Sequence, residues 1–298
     1  MTQRAWKNKK ILWYIFYGVV LAIGLLYYRF PSNNIRDYLQ AVTARANPSL
    51  LLSVEKVGLS LPPGLKLFNI ELSLRERPNN IIFRSAGSSI RPELLSLVHG
   101  EHKYSLDSKA YGGEARGTLR FEGNNPKAPF AASIQMKNIH IGDCPYLSSL
   151  IGHRIGGILG GTIAYEKGSV LPIDGTGKAD LRVTDGRVEL SEPILGLKTI
   201  SFAQLSIVMA LKGRKIELDR VELKGREIQG TLYGTIGLRK EISKSTLDLK
   251  GKIEALAGIL QGIGGDINTM SILRQHLKMG GRSFIIDGTL GEPRFRLT

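Results

Sequence analysis

A chain of 298 residues with 41 Lys and Arg against 26 Asp and Glu carries a formal charge of +15 and a pI near 9.9. That length allows one or two domains with a sizeable core, and a single cysteine, Cys144, excludes an internal disulfide framework. The basic balance raises nucleic acid as a partner, but there is no zinc finger, no aromatic RNA-binding strand and no helix stacked with Lys and Arg. Nucleic acid is therefore set aside, and the scattered cations read as solvated strand faces with an attraction for anionic headgroups.

Residues 1–10 form a basic tail with Arg4, Lys7, Lys9 and Lys10. Residues 11–28 then run without a charge; as a helix they rise about 27 Å, at ~1.5 Å per residue, close to the hydrocarbon thickness of a bilayer. Trp13, Tyr14, Tyr27 and Tyr28 stand near the two ends, where amphipathic rings favour the headgroup layer, and Arg29 closes the run. A secretory signal peptide is the main rival, and a buried core helix is another. The first has a shorter apolar core and a nearby small-x-small site, whereas here Y-Y-R-F-P follows and Ala44-Arg45-Ala46 lies far away. The expectation is an uncleaved anchor, with the basic N-terminus cytoplasmic and the rest of the chain across the membrane.

Residues 29–48 are expected as a juxtamembrane amphipathic helix. Ser32 or Asn33 would cap it, Ile35, Tyr38, Leu39, Val42 and Ala46 fall at helical spacing, and Asn47-Pro48 ends it. Its polar face is poor in Lys and Arg, so it is expected to pack on a sheet rather than lie on the membrane.

From residue 49 to 298 the writing is mostly period two, which predicts a β-rich domain. Leu65, Leu67, Ile70, Leu72 and Leu74 alternate with polar residues after Pro62-Pro63-Gly64, and Arg91-Pro92-Glu93 opens a short helix. Hairpins are predicted across Gly112-Gly113, across Asp185-Gly186 and across Lys212-Gly213, and a helical turn over 145–151. Ile228, Leu232, Ile236 and Leu238, then Leu247, Leu249 and Ile253, alternate as strands; residues 255–279 look helical in part, and a last strand runs over 284–290. Gly-Thr-Leu or Gly-Thr-Ile recurs at Gly117, Gly161, Gly230, Gly234 and Gly288, which suits a long antiparallel meander with bends at Gly. The fold class expected is mainly β: a transmembrane helix followed by a long, curved antiparallel sheet, groove or half-barrel, with a few short helices.

Residues with chemical potential are few. His99-Gly100-Glu101-His102 offers two imidazoles and a carboxylate but lacks the i, i+4 helical spacing that aims both rings at one metal. Cys144 with His140, Asp143 and His153 could be drawn as a thiol site, but a lone cysteine beside a strand is ordinarily a small core residue. No dinucleotide or phosphate-binding glycine loop, no Gly-x-Ser-x-Gly and no paired carboxylates occur. The reading is a non-enzyme with no cofactor, no catalytic residue and no metal ligand.

The order of features resembles the type II secretion system protein N family in its longer form. The resemblance is carried by the basic start, the anchor ending R-F-P, and L-S-L-P-P-G-L-K-L from Leu59. It is carried further by R-P-E-L-L-S-L-V-H-G from Arg91, S-K-A-Y-G-G-E-A-R-G-T-L from Ser108, and the closing D-G-T-L-G-E-P-R-F-R-L from Asp287. The Gly-Thr-Leu strands and the Gly-x-Pro ending are also similar to AsmA-type periplasmic proteins. The resemblance implies a single-pass inner-membrane protein with a periplasmic domain, serving protein export as an accessory or structural subunit. Its AsmA-like side implies the alternative, a groove for lipid, whose candidate lining here is Ile228, Leu232, Ile236, Leu247 and Leu249. The partners implied are the bilayer, other secretion subunits, and phospholipid or another acyl ligand. The candidate helices are too few to cover so long a sheet, so whether its apolar face lies open separates the two readings.

Overall fold

The computed structural model describes residues 13–18, 20–21, 24–25, 27–60, 64–98, 101–122, 129–151, 153–167, 174–194, 197–225, 228–239, 241–255 and 282–297. One open antiparallel sheet of 14 strands dominates it, and the spatial order of the strands is their order in the chain. The strands are β1 (Leu50–Ser60), β2 (Gly64–Leu74), β3 (Arg77–Pro92), β4 (His102–Ala110), β5 (Gly113–Phe121), β6 (Phe130–His140) and β7 (Ile155–Lys167). They continue as β8 (Thr176–Ile194), β9 (Leu197–Lys212), β10 (Lys215–Lys224), β11 (Ile228–Gly237), β12 (Thr246–Ala255), β13 (Arg282–Thr289) and β14 (Pro293–Leu297). Three helices accompany them: α1 (Ser32–Ala46), α2 (Leu94–Val98) and α3 (Pro145–Ile151). Tight turns join neighbours at Gly112 and Gly213, while β3–β4 and β6–β7 are joined by longer connections that hold α2 and α3.

Of the expected anchor, residues 11, 12, 19, 22, 23 and 26 lie outside the described residues, and the described members of 13–28 are helical and exposed. Among the described residues no helix is long and apolar enough to cross a membrane. Trp13, Tyr14, Tyr27 and Tyr28 all turn their rings outward. The expected helical stretch over 256–279 lies outside the described residues.

Helix α1 packs on the sheet, as its sparse basic face predicts. Phe30, Ile35 and Leu39 sit on Val54, Val57, Leu67 and Ile70 of β1 and β2. The expected N-cap is corrected: no side chain caps α1, and Ser32 is its first residue behind Pro31. The Ser32 hydroxyl is spent on the sheet instead, donating to the Val57 carbonyl at 2.6 Å and accepting the Val57 N–H at 3.3 Å. It thereby satisfies backbone groups of an edge strand that would otherwise be bare.

The hairpin expected across Asp185-Gly186 does not form. β8 runs straight through for 19 residues. Asp185 takes φ +50, and the register against β7 shifts between Gly156 and Ile158. A left-handed Asp is the same local conformation a turn uses, but here it serves a bulge, with Phe202 lying over Gly186 from β9. Asn69 (φ 47) and Asn138 (φ 55) mark comparable irregularities in β2 and β6. The other two predicted hairpins are present, at Tyr111-Gly112 between β4 and β5 and at Gly213 between β9 and β10.

The β4–β5 hairpin stops short of its neighbours, and the space below its tip is closed from both sides. Tyr111 (φ 50) accepts the Arg84 N–H on its phenol oxygen at 2.9 Å and the His140 N–H on its carbonyl at 2.9 Å. Burial pushes the Tyr111 phenol up to about 12, with the Arg84 amide opposing and Cys144 adding to the shift. Beyond the tip, Ile141 and Leu147 pack with Val183, Phe202, Leu159 and Leu205, forming the second small core.

Candidate functional site

In an antiparallel sheet, residues directly opposite one another point to the same side. Following the register across all fourteen strands therefore reads out each face. One row runs Leu59, Leu65, Ile90, Leu106, Gly117, Ile134, Ile163, Ala179, Met209, Leu218, Gly234, Leu249, Ile286 and Phe295. Two residues along lies Val57, Leu67, Ser88, Ser108, Ala115, Met136, Gly161, Leu181, Ile207, Val221, Leu232, Gly251, Phe284 and Leu297. On the opposite flank lies Pro92, Tyr104, Leu119, Ala132, Tyr165, Gly177, Leu211, Ile216, Ile236, Leu247, Gly288 and Pro293. No charged residue occurs in the three rows.

The two serines in the strip are silenced locally. Ser88 and Ser108 hydroxyls bond each other at 2.8 Å, and both lie about 3 Å from the buried Ser85 hydroxyl, which also donates to the Lys109 carbonyl at 2.9 Å. One rim is aromatic: Tyr104, Phe121, Phe130 and Tyr165 follow one another at ring distances of 6.0, 6.0 and 5.6 Å. Thirteen inter-strand steps of about 4.8 Å make the strip roughly 60 Å long, and three rows make it on the order of 15 Å wide.

The opposite face is of another kind. Thr118, Ser133, Ala164, Lys178, Ala210, Glu217, Thr235, Asp248, Asp287 and Arg294 are opposed across it. Its charges pair with each other: Arg116 with Glu114 at 3.0 Å, Lys212 with Glu217 at 2.6 Å, Lys252 with Glu254 at 2.9 Å, and Arg91 with Asp107. Lys212 holds the Glu217 carboxyl below its ordinary range. Such exposed pairs contribute little stability each; they mark a solvated surface. An open cleft of about 610 Å³ lies there, floored by Ala131, Ala164 and Ala210 and rimmed by Lys103, Arg120, Lys178 and Lys212. Two of those cations are already taken, Lys103 by Glu93 at 2.9 Å and Lys212 by Glu217.

What covers the apolar strip is unevenly distributed. Helix α1 lies over β1 and β2, and α3 with the turn at Ile141–Asp143 lies over the far rim from β3 to β9. Among the described residues no helix is packed along β11 to β14. Those strands carry the expected lining: Ile228, Leu232 and Ile236 on β11, and Leu247 and Leu249 on β12, come together on the same side, Ile236 opposite Leu247 and Leu249 opposite Gly234. Leu249 is 6% exposed, and the other four are half-buried.

The other sequence candidates are dispersed. His102 opens β4 opposite Phe121, beside the aromatic rim, and His99 lies outside the described residues. Cys144 is buried next to Tyr111, and the His140 ring Nδ1 lies 3.1 Å from the Tyr111 carbonyl. Among the described residues no three His, Cys, Asp or Glu side chains converge as a metal site would require. No family model, curated protein or solved structure matches this chain.

Proposed function

We propose that this protein carries acyl chains on the apolar face of its sheet, held at the inner membrane by its N-terminal helix with the sheet in the periplasm. One observation carries the reading: three adjacent rows, two across fourteen strands and one across twelve, hold no charge, and β11 to β14 are without a helix among the described residues. Part of this strip is covered, by α1 over β1 and β2 and by α3 at one rim. The half-buried apolar residues of β11 and β12 form the part proposed to bind, since contiguous exposed apolar patches mark binding sites. Bending the sheet about this face would turn the strip into a groove, and the recurrent Gly-Thr steps supply places to bend. Each methylene buried there contributes about 0.8 kcal/mol, so ten give ~8 kcal/mol. That exceeds the lower estimates, about 4 kcal/mol, of the cost of association.

The second reading is an accessory subunit of the type II secretion machinery, supported by the quoted sequence segments and by the edge of β14, which pairs with no strand but β13 among the described residues. In it, another protein rather than lipid covers the same face. Native mass spectrometry of the detergent-extracted full chain separates the two. Folded protein carrying mass increments of phospholipid or fatty acid is the expected result. Folded protein that is persistently lipid-free overturns the acyl-carrier reading and leaves the scaffold.

A further inference from the structure

The two edges of the sheet are treated differently. At β1, both backbone groups of Val57 are taken by the Ser32 hydroxyl, and α1 lies against the strand. At the other end, β14 pairs with β13 alone among the described residues. Thr289 and Glu292 exchange backbone bonds across the turn, at 3.3 and 3.2 Å. Counting down the ladder from that pair, Arg294 and Arg296 bond to β13, while Phe295 and Leu297 send N–H and C=O to the other side, where no strand lies among the described residues.

The side chains give that edge a sign. Arg294 and Arg296 both reach the same carboxylate, Asp287, so two guanidinium groups stand along the edge strand on the outer face and share one partner. On the other side Phe295, 58% exposed, stacks on Phe284 and ends one of the apolar rows. A second copy of β14 fits poorly, because antiparallel pairing about Phe295 sets Arg294 opposite Arg296. Like charges directly opposite are unfavourable.

We infer that β14 docks an extended strand of a partner protein in which acidic residues alternate with apolar ones. The acids meet Arg294 and Arg296, the apolar residues continue the row that ends at Phe295, and the main chain completes the ladder. The inference does not depend on what the apolar face carries.

The test uses the full chain in detergent micelles and two short fluorescent peptides, one alternating Glu with Val and one alternating Lys with Val, titrated by anisotropy. The Glu-Val peptide is expected to bind about tenfold tighter or more, and the order to invert in the Arg294→Glu, Arg296→Glu chain. Phe295→Pro removes the outward donor without touching the bonds to β13, and is expected to abolish binding, while Phe295→Leu retains it. Comparing the two peptides on one chain keeps the preference readable even where a variant is less stable. Equal binding of both peptides, no binding of Glu-Val at millimolar concentration, or undiminished binding to Phe295→Pro overturns the proposal.

Discussion

Leu232→Asp is expected to leave the chain folded but unable to hold an acyl chain, whereas Leu249→Asp is expected to unfold it. The two leucines occupy neighbouring rows of the same apolar face, Leu232 opposite Gly251 and Leu249 opposite Gly234. Their difference is burial. Leu249 is among the most buried side chains of the molecule, and an unpaired carboxylate there costs several kcal/mol, a large part of the 5–15 kcal/mol that a typical domain has. Leu232 is half-buried, so its Asp keeps contact with water and the penalty is smaller, about 1–2 kcal/mol. In the groove, however, that charge is desolvated by any chain laid over it. Denaturant midpoints and bound-lipid mass on the two variants read both effects. Equal destabilisation, or lipid retained by folded Leu232→Asp, would count against an acyl site on this face.

Gly234→Ala is expected to destabilise by about 3 kcal/mol or more, through backbone rather than side-chain packing. Gly234 sits at φ +138, and a Cβ there would run into the Asp248 carbonyl oxygen and lie 2.9 Å from the Leu249 Cα. Gly161 repeats the arrangement at φ +141 against Asp180 and Leu181. Gly156 is the control, since a Cβ there meets nothing within 4 Å and its φ is ordinary. Gly156→Ala should therefore be neutral or mildly stabilising, by up to about 1 kcal/mol. Urea midpoints at unchanged slope measure the contrast; similar midpoints for both variants would contradict the close strand approach.

Much of the meander is legible in the sequence because solvated and apolar faces alternate at period two, and the glycines of the Gly-Thr repeat are where strands approach too closely for a side chain. A Cβ on Gly117 would lie 2.6 Å from the Ser133 carbonyl oxygen, and one on Gly230 2.9 Å from that of Lys252. Four stretches read poorly, each for a physical reason. β1 begins Leu50-Leu51-Leu52 without alternation, and the ladder skips Glu55 and Asn69, so its period breaks midway. β3 hides its apolar side because Ser85 and Ser88 stand on it, their hydroxyls satisfied by Ser108 and by backbone carbonyls. Asp185-Gly186 has the composition of a turn and the backbone of one, and only the partner strand, with Phe202 over Gly186, shows that β8 continues. β14 was hidden by its own brevity, five residues after the Gly291-Glu292 turn. The lining residues of β11 and β12 are readable singly. That Leu249 stands beside Gly234 and Ile286 is a matter of register, which no single strand encodes.

If the sheet carries acyl chains as proposed, lipid tails lie on one of its faces and not on the other. The direct measurement is photo-crosslinking of the full chain in liposomes that contain a phospholipid with a diazirine in its acyl chain, with adducts mapped by mass spectrometry. Label is expected on the half-buried Leu232, Ile236 and Leu247, and not on Thr231, Thr235 and Asp248, which alternate with them on the charged side. Label distributed equally over both sets, or confined to the N-terminal helix, would contradict the account.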